Sequence, residues 1–148
     1  TAMKTTGLSM ALALALIMAG SCGVRPVLAA DDREAIAVSA GQRDFMMTEM
    51  RAFLIVVQDI VLGMAEGDMT AVSEAAHSMR MGQGGGQAMG MNRVLPLEFR
   101  QMARGTHMAF EELAQAAEFG PEGVLENLGT LMSNCTGCHA SYKIIVNN

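Results

Sequence analysis

Apolar residues return at helical intervals along most of this chain. From Arg33 to Glu66 there is no proline, and Met46, Met50, Phe53, Val57, Ile60 and Met64 follow one another at spacings of 4, 3, 4, 3 and 4. That rhythm puts them on one face of a helix and predicts a single long amphipathic helix over 33–66. Gly67-Asp68 should end it, with Asp68 capping a second helix from Met69 to about Met81 whose inner stripe is Val72, Ala76 and Met79. Gly82 to Gly90 holds five glycines in nine residues and reads as a loop. It follows no strand and lacks Lys-Ser/Thr, so it is not a phosphate cradle.

A third helix is expected from Leu95-Pro96 to Phe119, with proline in the first turn and Phe99, Met102, Thr106, Ala109, Phe110 and Leu113 inward. Gly120-Pro121 breaks the chain again. A fourth helix from Glu122 then carries Val124, Leu128, Leu131, Cys135, Cys138 and Tyr142 at spacings of 4, 3, 4, 3 and 4. Four helices with one apolar stripe each are best satisfied by an all-α fold, an antiparallel four-helix bundle.

The first thirty residues follow another pattern. Lys4 precedes the apolar stretch Leu8 to Ala19, and the small residues of Val27-Leu28-Ala29-Ala30 come before Asp31-Asp32-Arg33. A basic start, a short apolar run and a small-residue cleavage site make residues 1–30 a bacterial secretory signal and 31–148 a single domain. The uninterrupted run Gly7 to Val24 is 18 residues, short of the about 20 that span a bilayer comfortably. Retention as a membrane anchor is the second reading, and lipidation at Cys22 the third. Export places the domain in the periplasm.

Charge narrows the partners. The signal segment holds two of the ten basic residues and none of the fifteen acidic ones, which leaves eight against fifteen and a formal −7 on the domain. Such a surface disfavours nucleic acid and favours proteins with basic docking faces. No Ser-His-Asp set or working carboxylate pair stands out. Glu111-Glu112 reads as a solvated helix face, His77 as solvent-facing on the second helix, and His107 as a surface or core histidine rather than a cofactor contact. The chain therefore does not read as a conventional enzyme.

The chemistry is concentrated in Cys135-Thr136-Gly137-Cys138-His139. Cys-x-x-Cys-His is the pattern that attaches a c-type haem: each sulfur adds to one vinyl group of the porphyrin while the histidine ligates iron. A thioredoxin-like pair would sit at the strand-helix junction of a βαβ unit, which the pattern lacks. A zinc site would need further ligands, and Cys22, His77 and His107 are scattered. One covalent haem c with His139 as proximal ligand is the expectation.

A signal segment, four amphipathic helices and the C-terminal CTGCHASYK together resemble the cytochrome c-prime family, including its methionine-ligated low-spin branch. The resemblance spans Asp31 to Asn148 and rests mainly on that C-terminal segment. It implies a left-handed bundle with haem near one end, often dimeric through the first two helices. The family usually has arginine where this chain has Lys143, which keeps the charge one turn from His139 beside the haem edge but loses the planar fork.

The resemblance also implies that the first helix covers the other face of the haem. Met50 points inward whether the stripe runs 46-50-53-57 or 47-50-54-57, which makes it the expected sixth ligand, with Met47 second. Met64 lies too far along the helix. A His/Met pair implies electron transfer at raised potential. The alternative is five-coordinate iron behind an apolar cover such as Phe53 or Leu54, binding nitric oxide or carbon monoxide.

Overall fold

The computed structural model describes residues 30–80 and 90–147. Residues 1–29, most of the segment expected to be a secretory signal and including Cys22, and most of the glycine-rich stretch therefore lie outside the described residues. From Asp32 onward the chain forms one unit.

That unit begins with a strand, not a helix. Strand β1 (Glu34–Val38) buries Ile36 and Val38 and exposes the residues between them, the two-residue period of a half-buried strand. Ser39 then starts helix α1 (Ala40–Glu66) through a capping box: its hydroxyl accepts from the Gln42 N–H at 3.2 Å, and the Gln42 side chain accepts from the Ser39 N–H at 2.9 Å. The single helix expected over 33–66 is thus a strand and a helix divided by a local hydrogen-bonding signal.

Helix α1 ends at Gly67, whose φ of 74° gives the left-handed turn that closes helix C-termini. Asp68 caps helix α2 (Met69–His77), its carboxylate accepting from the Ala71 N–H at 2.9 Å. The two helices pack closely at Gly63, where an added Cβ would stand 2.9 Å from Val72 Cγ2. A short 3-10 turn, Met91–Arg93, leads to helix α3 (Leu97–Ala116), which Pro96 precedes and a second 3-10 turn, Ala117–Phe119, prolongs. Helix α4 (Pro121–Ser141) has proline in its first position, as a helix start favours.

The chain then leaves the helix. Strand β2 (Tyr142–Val146) pairs in parallel with β1, Glu34 opposite Tyr142 through Val38 opposite Val146. Tyr142 and Lys143, expected on the fourth helix, lie on this strand. The fold is mostly helical, with a two-stranded parallel sheet joining the beginning and the end of the unit.

Two apolar clusters hold it. The larger encloses Val56, Ile60, Val72, Ala76, Phe110, Leu113, Val124 and Leu131, contributed by all four helices. Phe53 of α1 stacks on Phe110 of α3 with centroids 5.6 Å apart. The smaller joins Ile36 and Val38 to Met46 and Met91, flanked by Phe45, Leu95, Phe99, Tyr142 and Ile144. Among the described residues no helix is long and apolar enough to cross a membrane.

Candidate functional site

The CTGCH segment occupies the last turns of α4, at the end of the molecule where the sheet closes. Three residues apart on a helix, Cys135 and Cys138 share the side that carries the buried Val124 and Leu131. Both are half-buried free thiols. Burial pushes both pKa values up; the neighbouring Cys135 adds to the rise at Cys138, while a backbone hydrogen bond opposes it at Cys135. Redox-active thiols have the opposite environment, one that lowers the pKa and exposes thiolate.

Helix α4 approaches α3 at Gly123 and Gly137, while Gly129 between them is exposed. A Cβ on Gly123 would meet Ala116 at 3.5 Å, and one on Gly137 would meet Met102 Cε at 3.6 Å. Two residues past Gly123 and Gly137, about 200° round the helix, come Leu125 and His139, with Met132 midway between them. All three are exposed, Leu125 by 60 %. His139 therefore stands at the end of an apolar flank turned away from α3.

A matching flank runs along α1. Gly63 faces α2, and about half a turn away Met47, Leu54 and Val61 recur at intervals of seven, Leu54 being 70 % exposed. Close backbone approaches join α1 to α2, α2 to α3 and α3 to α4, but α1 and α4 make no comparable approach to each other. Each outer helix thus keeps an apolar flank uncovered on the side away from its neighbour.

The methionines of α1 divide accordingly. Met46 is buried in the smaller cluster and Met64 packs against the larger. Met47 and Met50 are half-buried and belong to neither. The observed inner stripe runs through Met46, Phe53, Val56 and Ile60, so Met50 sits on its edge and not at its centre. Phe53 is committed to Phe110 and to the ring of His107, 5.3 Å away, which leaves Leu54 as the uncovered apolar residue of that pair.

The other expected groups also find definite places. His107 Nδ1 donates to the Met79 carbonyl at 2.7 Å, which makes it a packing histidine that ties α3 to the residues after α2. His77 is half-buried rather than solvent-facing: its Nδ1 lies 3.2 Å from Glu111 Oε2 and 3.1 Å from Arg80 Nη2, and Arg80 Nε lies 3.4 Å from the same carboxylate oxygen. Glu111 is therefore an ion-paired group between helices, not part of a solvated face, whereas Glu112 is exposed. Desolvation pushes the Glu111 carboxyl up, but hydrogen bonds from His77 and Gln115 and the charges of His77 and Arg80 together hold it below its ordinary value. Neither histidine joins the cysteines, and no group of three His, Cys, Asp or Glu side chains forms among the described residues. Lys143, half-buried on β2 opposite Ala35, begins the strand's second position and does not extend the helical turn of His139.

One contact at this end has no counterpart in the periodic pattern. Arg33 Nη1 donates to the carbonyls of His139 at 3.2 Å and Tyr142 at 3.3 Å. A lone arginine more than a hundred residues away gives no sequence signal for such a contact; only the alternation of Ile36 and Val38 hinted that this stretch was a strand. Comparison with models of protein families, with curated proteins and with solved structures returns no match.

The donor set fits a covalently held haem. Two thiols share one half-buried face, an imidazole is exposed in the adjoining position, and thioethers at Met47 and Met50 are not claimed by either core. Uncovered apolar flanks on α1 and α4 supply the surface that a porphyrin would remove from water.

Proposed function

We propose that the protein is a periplasmic c-type cytochrome of the c-prime kind, an antiparallel helical bundle that carries one haem and transfers electrons. The observation that carries this reading is the CTGCH turn on α4, with its thiols half-buried on the inner side and His139 exposed at the end of an apolar flank. Cys135 and Cys138 would hold the haem through thioether bonds, and His139 would be the proximal ligand. Met50 would be the distal ligand, with Met47 second.

When bound, the haem supplies one-electron chemistry at iron. A soft thioether opposite an imidazole favours the ferrous state, and the protein's task is to hold both ligands and keep water from the metal. Burial of the thiols on the core side fits permanent attachment better than reversible exchange. Lys143 would be the cation beside the haem edge that the resemblance implies, presented from β2 rather than from the helix. The acidic domain favours redox partners with basic docking faces. A second copy would dock through α1 and α2, with Ile55 and Leu62 of α1 exposed seven residues apart. The N-terminal segment would direct export or tether the domain.

The test is the mass and visible spectrum of the chain produced in a host that exports it and attaches haem. The expected mass includes one haem, with Cys135→Ser and Cys138→Ser each losing a thioether bond and the double variant carrying none. The expected ferric spectrum is low-spin and six-coordinate, turning high-spin in Met50→Ala. A wild-type protein without covalent haem sinks the reading. A high-spin wild type would instead favour the gas-binding alternative, with Leu54 near the open site.

A further inference from the structure

We propose that Arg33 is a positioning residue for the haem-attachment turn: docked on the carbonyls of His139 and Tyr142, it fixes the end of α4 and sets a permanent positive charge beside the iron's protein ligand. The inference rests on the haem reading above and goes beyond it, since neither the motif nor the family resemblance assigns this residue.

Helix C-termini leave four carbonyls without intrahelical partners. At the end of α4 the Tyr142 N–H donates to Cys138, closing one of them. The next carbonyl, that of His139, takes its hydrogen bond from Arg33, and the same nitrogen reaches Tyr142, the residue at which helix turns into strand. A cation there opposes the negative end of the helix dipole as well as filling the acceptor. Arg33 is itself held in place, because the next residue, Glu34, opens β1 opposite Tyr142. The parallel pairing and the guanidinium thus act on one joint: the sheet brings the two ends of the unit together, and Arg33 locks the turn from which His139 projects.

Two effects separate locking from mere stability. Loss of the guanidinium should fray the last turn of α4, and loss of its charge should make the ferrous haem less favourable, since a nearby cation stabilises the state with one more electron. Lysine at this position keeps the charge and loses the fork that spans two carbonyls. A packing defect elsewhere in the same end loosens the sheet, Tyr142 included, but leaves the charge in place, so the potential is the readout that separates the two.

The experiment compares the haem-loaded wild type with Arg33→Ala, Arg33→Lys and Ile36→Ala. Amide hydrogen exchange at Tyr142 and the reduction potential are measured on each, with thermal unfolding as the control. In Arg33→Ala, exchange at Tyr142 should quicken roughly two- to fivefold, and the potential should fall. Arg33→Lys should restore the potential while recovering only part of the protection. Ile36→Ala should lower the unfolding temperature and leave the potential unchanged. Unaltered exchange in Arg33→Ala overturns the docking, and equal potential shifts in Arg33→Ala and Ile36→Ala overturn the charge effect. Wild-type mass without haem overturns the ligand-positioning role through the failure of the haem reading, a result distinguishable because the exchange comparison still reports whether Arg33 holds the turn.

Discussion

Phe110 and Ile36 are both enclosed, at 0 % and 2 % exposure, yet they owe their burial to different kinds of order. Phe110 lies in the helical cluster, where each contributing residue belongs to a stripe repeated every three or four positions. Ile36 lies in the smaller cluster, which exists only because residues 34–38 meet residues 142–146 across nearly the whole unit. The first kind of order is written locally and many times over. The second is written once at each end of the unit, and the CTGCH turn stands beside it.

The largest effect expected from disturbing this contrast is in the helical cluster. Phe110→Ala removes a ring that stacks on Phe53 and is surrounded by residues of the helical core, a loss of about 3–5 kcal/mol for a large aromatic truncation. In a domain of this size the unfolding temperature should fall by more than about 10 °C. Thermal unfolding followed by circular dichroism checks it, and a fall of only a degree or two would mean that the larger cluster is not the main source of stability.

Ile36→Ala should cost less, about 2 kcal/mol, at the lower end for a buried aliphatic residue because its cluster is small and its sheet has only two strands. The distribution of the loss is the sharper measurement. Amides of β2 should exchange faster while those in the middle of α3 change little, since local opening concentrates where buried contacts are few. Uniform acceleration along the chain would show that the two ends and the helical core unfold as one.

The same contrast explains what could be read before the structure. The stripes of α2, α3 and α4 predicted the buried residues because an amphipathic helix carries its burial in its own period. Gly67, Asp68 and Gly120-Pro121 marked ends correctly because caps and turns are local chemistry as well. The helical rhythm that starts at Met46 extends back over 34–38 because no proline interrupts it, although Ser39-x-x-Gln42 is a capping box and Ile36-Ala37-Val38 alternates. Tyr142 continued the stripe of α4 arithmetically, yet strand pairing with a segment over a hundred residues away decided its conformation. At the candidate site, Cys135, Cys138 and His139 were legible from their spacing. Arg33 was not, because its partners are carbonyl groups, which leave no mark on residue identity.

The smallest expected effect concerns the link between the two helical hairpins. Glu111 of α3 accepts from His77 of α2 and lies within ion-pair distance of Arg80, and these groups hold its carboxyl below the ordinary value. A carboxyl with a lower pKa folded than unfolded binds protons more readily in the unfolded chain, so acid favours unfolding through it. Its contribution is intact above the ordinary carboxylate value and is lost as pH falls through the lowered one. Because the carboxylate stays partly open to solvent, the change should be modest and weaken with salt. Urea midpoints measured down the acid limb should fall more steeply for the wild type than for Glu111→Gln, with the two curves closing at low pH. Parallel curves would mean that the ion pair adds nothing to the apolar packing of Val72, Ala76 and Phe110 and to the hydrogen bond from Ser73 Oγ to the Ala114 carbonyl that already join α2 to α3.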